Sequence, residues 1–354
     1  MIKRRHFLSG ILSIGATTLL ANTSKISNSP KKNLYPKRLE KGQTIGLIAP
    51  GFAVSEKKIT QMVFFLEQSG FEVFKTGRIG QHGYFSNTDE QRALDVMEMF
   101  SNPSVDAILC ARGGYGCTRI LDLLDYKIIE NNPKILLGFS DVTALIQGIY
   151  SKTGLIGFHG PVGTTIENKY AQSCIENLLM NLSNHTLISP VNLEGSQYNS
   201  FSEYQRYTIY PGIAKGKLVG GSLTLIAALI GTPYEINFTD CIVCIEDVEE
   251  KPYRIDRMLT QLIGTKTFKK AAGIAFGVCA GCDTEKDKGN FTLREVIENR
   301  ISPLKIPAAY GLSFGHVPDN CTLPIGAQSV FNAASLEITA VSYTHLTLPT
   351  TPYV

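Results

Sequence analysis

The chain reads as an α/β protein with two lobes, and three observations predict this. Between residues 44 and 160, short apolar runs alternate with segments of helical period, the pattern of parallel strands joined by crossover helices. A Ser/Asn/Gly-rich stretch at 192–205 separates that region from a second alternating region beginning near residue 210. The length, 354 residues with 44% apolar side chains, suits about two domains.

Taken in order, residues 44–49 (TIGLIA) form the first expected strand, stopped by Pro50-Gly51, and a helix follows over 55–69. Residues 72–75 (EVFK) make a second strand and 77–87 a loop. A helix over 88–100 puts Ala93, Val96, Met97 and Phe100 on one face. Residues 106–110 (DAILC) are the third strand, ending in the glycine-rich turn 112–116, with a helix through 120–124. Residues 135–150 read ILLGFSDVTALIQGIY: a buried strand, a sharp break and a helix from Val142. A short strand at 155–157 ends in His159-Gly160-Pro161, and 171–182 is helical in pattern. The second region holds strands at 217–221, 241–245, 273–278 and 307–315. Its expected helices lie at 222–230, 253–262 and near 293–300, with a charged segment at 246–251.

The ends of the chain stand apart. Residues 1–21 join a basic start, Lys3-Arg4-Arg5, to an apolar run too short for a comfortable membrane span, as in an export signal. Arg4-Arg5-His6-Phe7-Leu8 resembles a twin-arginine signature, which implies export after folding to the periplasm, or cytoplasmic residence if the signal is inactive. Cleavage and retention as a tether both fit. Residues 22–41 read as a linker, and 341–354 (VSYTHLTLPTTPYV) have no period that suits a core, so they read as a non-native tail. Residues 1–40 carry a surplus of +7 against +3 for the whole chain, leaving the remainder at −4, which offers no nucleic-acid surface. Domains are therefore expected at 42–165 and 210–340, joined by 166–209.

Eight cysteines include two C-x-x-C pairs, Cys241/Cys244 and Cys279/Cys282, a spacing that zinc sites use. Residues 241–245 are an apolar strand, however. Positions three apart on a strand face opposite ways, so the first pair does not chelate one ion and no metal is expected.

Open α/β sheets bind ligands at the carboxyl ends of their strands. Pro50-Gly51, residues 112–116, Ser140 and His159 all fall there. Ser140 sits at a strand-to-helix elbow, either as a nucleophile beside helix N–H groups or simply as the helix N-cap. The turn 112–116 lacks the Gly-Lys-Ser/Thr of a P-loop and the spacing G-x-G-x-x-G, so nucleotide binding is not expected. Of six histidines, His6 and His345 lie in the terminal segments and His82 and His185 in loops, leaving His159 and His316. Glu246 follows an apolar strand directly, although it opens an acidic run that solvent alone would explain. Ser140, Glu246 and His316 suggest a nucleophile, an orienting acid and a base, a logic tied to no one fold.

Ala111–Gly116, Gly138–Asp141, His159-Gly160-Pro161, Ile245-Glu246-Asp247, residues 252–259 (PYRIDRML) and Phe314-Gly315-His316 together resemble the LD-carboxypeptidases. These serine peptidases include murein tetrapeptide carboxypeptidases and microcin C self-immunity hydrolases. The resemblance spans about 44–328. It implies a flavodoxin- or Rossmann-like parallel-sheet domain plus a smaller, β-rich C-terminal α/β domain, with the active site between them. It also implies Ser140, Glu246 and His316 as the catalytic residues, Glu249 ranking behind Glu246, with a murein peptide as substrate, no cofactor and a homodimer. Asp141, Gly113 and Gly114 are the expected oxyanion donors, and Arg112 either meets the substrate carboxylate or forms a structural pair. Two departures stand out: Ser222 where the family usually has Asn, and an export signal where murein-recycling members are cytoplasmic. A microcin-type amide hydrolase and a non-catalytic periplasmic muropeptide-binding protein are the alternatives.

Overall fold

The computed structural model describes residues 32–181, 185–192, 194, 197–283 and 289–341, of which 185, 186 and 341 by their backbone alone. The expected export signal and most of the expected tail lie outside these residues. The described residues form one compact unit containing two sheets.

The first sheet uses β1 (Thr44–Ile48), β2 (Glu72–Lys75), β3 (Ala107–Cys110), β4 (Ile135–Gly138) and β5 (Gly157–His159). They run parallel in the order β5-β4-β3-β1-β2. Every residue of β3 and β4 is buried, as unbroken apolar runs between two layers of helices should be. The helices are α1 (Glu56–Gln68), α2 (Asp89–Ser101), α3 (Cys117–Ile120), α4 (Tyr126–Asn131), α5 (Val142–Thr153) and α6 (Lys169–Ile175).

The second sheet gathers β6 (His185–Ile188), β7 (Tyr207–Tyr210), β8 (Ile213–Ser222), β9 (Cys241–Val248), β10 (Gly273–Ala280) and β11 (Ala308–Gly315). The strand β12 (Leu323–Ile325) crosses to the first sheet and pairs antiparallel with β5. Strands β13 (Gln328–Asn332) and β14 (Glu337–Val341) return to the second, whose order is β6-β14-β13-β8-β9-β10-β11-β7. Its centre, β8 to β11, is parallel. Helices α7 (Leu223–Leu229), α8 (Pro252–Gly264) and α9 (Leu293–Ile301) cover it. One apolar cluster takes Leu136 and Ile108 from the first sheet and Leu218, Ile242 and Phe314 from the second, so the two sheets share a core.

Several details differ from the sequence reading. The second half of the expected linker is packed: Leu39 is buried, and Leu34 bridges to Leu155 through paired backbone bonds. That bridge occupies Leu155, so β5 begins two residues later than the apolar pattern implies. His185 lies on a strand rather than in a loop. Strand β9 runs on through Glu246, Asp247 and Val248, the start of what reads as a charged surface segment.

A buried arginine ties two strand-end turns together. Arg92 of α2, 1% exposed, donates to the Pro50 carbonyl and, at 3.1 Å, to the Gly116 carbonyl, pairs with Asp89, and lies over the Phe85 ring. Substituting Arg92→Met strands those carbonyls in a dry site. We expect a loss of about 3 kcal/mol in urea unfolding at unchanged slope. A loss below about 1 kcal/mol would show that the turns hold themselves.

Candidate active site

Ser140 leaves β4 in the left-handed region, with φ of 63°. Helix α5 has Asp141 as its N-cap, so Ser140 stands outside the helix and does not cap it. Its carbonyl accepts the Thr143 N–H at 2.9 Å. A non-glycine residue held there costs on the order of 1–3 kcal/mol, and such strain gathers where a side chain must be aimed. Here it aims the hydroxyl at His316, with Oγ 3.1 Å from Nε2.

Glu246 is not a solvated acid. It sits on β9 opposite Ser222 with no solvent exposure, and its Oε2 lies 2.7 Å from His316 Nδ1. An ionised carboxylate only accepts, so Nδ1 carries the proton and Nε2 is left to accept the Ser140 O–H. His316 is the first residue after β11. Residues 311–314 bulge between the pairs Phe276↔Tyr310 and Val278↔Gly315, which re-aims the strand end. Gly315 then passes against the carboxylate with φ of 98°; a Cβ there would lie 2.5 Å from Glu246 Oε2. Only glycine fits.

Burial raises the Glu246 pKa, but the charge and hydrogen bond of His316 outweigh it, and the net shift is below the usual 4.5. For His316 burial acts downward, and the Glu246 charge and hydrogen bond carry the imidazole above 6.5. Phe139 packs on the His316 ring at 4.8 Å. Asp247, on the same strand, accepts from the Thr224 backbone and hydroxyl, and burial followed by the Glu246 charge lifts its pKa to about 6.

The remaining sequence candidates fall into two groups. Gly113 lies against the elbow: a Cβ there would sit 2.8 Å from Ser140 Cβ and 3.0 Å from Oγ. Gly114 follows, with Phe52 packed on it. The Asp141 side chain instead turns inward, buried, and accepts the Cys117 N–H at 2.9 Å, clamping the glycine-rich turn to the elbow. Burial raises its pKa. Arg112 donates to the Ala53 carbonyl at 3.2 Å and lies over the Phe52 ring. Glu249 is exposed and has no hydrogen bond to His316. Ser222 is buried, and its N–H is held by Thr143 Oγ1 at 3.1 Å. Phe139 and Thr143 carried no sequence signal; a packing ring and a threonine on an apolar helix look like core. Cys241 and Cys244 pack into different apolar clusters, on opposite faces of β9. Among the described residues no group of three or more His, Cys, Asp or Glu is placed to hold a metal, and no helix is long and apolar enough to cross a membrane.

Comparison with known proteins bears directly on this site. The family model for the LD-carboxypeptidase N-terminal domain matches residues 45–160, and that for the LD-carboxypeptidase C-terminal domain matches 215–330. A Bacillus subtilis (strain 168) protein named "probable murein peptide carboxypeptidase" is 38% identical over 317 residues, covering 87% of this chain and 94% of its own. An MccF-like protein from Bacillus anthracis str. Ames superposes with a TM-score of 0.75 at 28% identity, covering 88% of this chain and 100% of that one. A muramoyltetrapeptide carboxypeptidase from Oxalobacter formigenes gives 0.73 at 27%, covering 85% and 99%.

The Glu246–His316 pair has a definite pH signature. His316, raised above 6.5, adds stability that is complete below 6.5 and is lost as pH rises through the folded pKa. Glu246, lowered below 4.5, adds stability present above 4.5 and lost as pH falls through its folded value. Titration of the folded protein by ¹⁵N-imidazole NMR should place the His316 midpoint above 6.5, and Glu246→Gln should lower it. A wild-type midpoint at or below 6.5 would contradict the pairing.

Proposed function

The chain belongs to the LD-carboxypeptidase family of peptidases, and from that membership we propose that it is a serine carboxypeptidase releasing the terminal D-alanine from the murein tetrapeptide. The bond cut is an L,D peptide bond. The single observation that carries the reading is the continuous chain of contacts from hydroxyl to imidazole to buried carboxylate, 3.1 and 2.7 Å long.

In this reading His316 Nε2 takes the Ser140 proton as Oγ attacks the scissile carbonyl carbon. The tetrahedral intermediate collapses to an acyl-enzyme as the same nitrogen protonates the leaving amine of D-alanine. Water, activated in turn by His316, releases the shortened peptide. Glu246 keeps the proton on Nδ1 and stabilises the imidazolium that forms at each step. The N–H of Asp141 and one from Gly113 or Gly114 receive the oxyanion. Support for that role of the glycines is the close backing of Gly113 against Ser140, which leaves no room for a side chain. No metal or cofactor enters this scheme. Arg112, half-exposed at the same rim, still has guanidinium edges to offer the substrate carboxylate.

Export by the twin-arginine-like segment and a homodimeric state belong to the same proposal, with murein outside the inner membrane as the substrate pool. The likeness to MccF, solved in complex with glutamyl sulfamoyl guanosine, favours a second reading, hydrolysis of an amide joining an amino acid to a nucleotide analogue.

Purified protein should release D-alanine from murein tetrapeptide, and Ser140→Ala should lower kcat by about 10⁴-fold or more. Gly113→Ala, which pushes a methyl group into the elbow, should lower kcat while leaving the fold intact. Unchanged turnover in Ser140→Ala would exclude the scheme. Turnover of an aminoacyl nucleotide analogue but not of the tetrapeptide would select the second reading. Tight binding of a muropeptide without any cleavage would instead make the chain a binding protein.

A further inference from the structure

The hydroxyl–imidazole–carboxylate chain uses only one oxygen of Glu246. The other, Oε1, is buried and has no hydrogen-bond partner among the described residues. A buried carboxylate oxygen left bare is costly, typically by about 1–3 kcal/mol or more, so native structures rarely keep one without reason. The group facing it is His159. The His159 ring has no solvent exposure, both of its nitrogens lack hydrogen-bond partners, and its Nε2 lies 3.7 Å from Glu246 Oε1.

The position of His159 is fixed from several sides. It ends β5, paired with Gly138 of β4 and with Leu323 of β12. Phe139 meets its ring edge-on at 6.1 Å and also packs on His316, so one phenylalanine contacts both imidazoles. A histidine retained only to fill a core would leave two polar atoms unpaired where phenylalanine would leave none. Burial, the largest influence on this ring, brings its pKa down to about 4 against the opposing pull of Glu246, so it is uncharged at neutral pH. A neutral imidazole carries a single N–H. With the hydrogen on Nε2 the donor faces an acceptor 3.7 Å away, and a shortening of about 0.8 Å would bring the pair to an ordinary N–H···O length.

We propose that His159 is a positioning residue, whose neutral ring presents Nε2–H to Glu246 Oε1 and thereby keeps Oε2 turned toward His316. Its ring has no hydrogen bond to Ser140 and no exposure to solvent. Its effect passes through the carboxylate, as an outer partner orients a ligand whose other atom does the work. The relay then has four members contributed by β4, β5, β9 and the end of β11, that is, by both sheets.

The structural part is tested in the unsubstituted protein and the kinetic part rests on the proposed peptidase activity, so the two can fail separately. Long-range ¹H–¹⁵N imidazole spectra at pH 6–8 should show His159 as the neutral Nε2–H tautomer. A protonated ring or the Nδ1–H tautomer would overturn the proposal, whatever the protein's substrate. On murein tetrapeptide, His159→Phe should lower kcat about 10-fold or more with KM nearly unchanged, the scale typical of lost orienting partners. His159→Gln, which returns an N–H near the position of Nε2, should recover most of that loss. Equal loss in both variants at matched thermal stability, or no loss in His159→Phe, would overturn the positioning role. An unsubstituted protein inactive on the tetrapeptide would refute the function proposed above and leave the spectra to decide His159.

Discussion

A carboxylate with no contact with water is the constraint around which the rest of this structure is arranged. Glu246 is one of the few buried acids among the described residues, and burying a charge costs several kcal/mol unless a well-placed partner offsets it. His316 is that partner, at 2.7 Å. To bring it there the chain bulges β11 against Gly277, spends a glycine at 315 and anchors the loop by the bond from the Gly315 N–H to Asn320 Oδ1 at 3.0 Å. The bulge still buries Leu312 and Phe314 in the shared core, but the glycine at 315 and the Asn320 anchor add no apolar burial. Each serves to hold one imidazole against one carboxylate.

The same demand explains why the two sheets are merged. His316 lies on the segment that leaves β11 of the second sheet and becomes β12 of the first, so its loop is tied at both ends. Ser140 belongs to the first sheet and Glu246 to the second, yet both sheets contribute to a single apolar cluster. Helix α5 reaches across as well: Thr143 Oγ1 accepts the Ser222 N–H, and Gln147 donates to the Gly220 carbonyl at 2.6 Å. On the first sheet, Asp141 and Arg92 clamp the glycine-rich turn against the elbow. With the elbow, the turn and the β9–β11 ends all fastened, the hydroxyl and imidazole meet without a change in the relative placement of the sheets.

Much of this was legible in the sequence, for physical reasons that differ from residue to residue. Strands β1, β3 and β4 are short apolar runs cut off by Pro, Gly or polar residues, and α1, α2 and α5 have clear helical periods, so their places follow from pattern alone. Ser140 was marked by the break between strand and helix, but its two readings could not be separated there, because the left-handed backbone at 140 is a tertiary outcome. Glu246 was ambiguous for a related reason: four acids in five residues look solvated, and only the extension of β9 shows which of them faces inward. Helix α4 was invisible because six residues have too little periodicity, its start being set by Asp125, whose side chain accepts from the Lys127 and Ile128 N–H groups. Strand β12 carries a proline and pairs with the other sheet, so nothing local announces it. His159 stood out as a strand-end histidine, but its relation to Glu246 spans residues 87 positions apart and depends on the packing of both sheets.

Peptide mapping after treatment with a serine-directed fluorophosphonate tests most directly whether the three groups act as one. The reagent reacts with a hydroxyl only where a neighbouring base removes its proton, and it needs no knowledge of the natural substrate. Labelling should fall on Ser140 alone in the intact protein and disappear in His316→Ala at a pH where both forms are folded. Label on another serine, or undiminished label at Ser140 without the imidazole, would contradict the account.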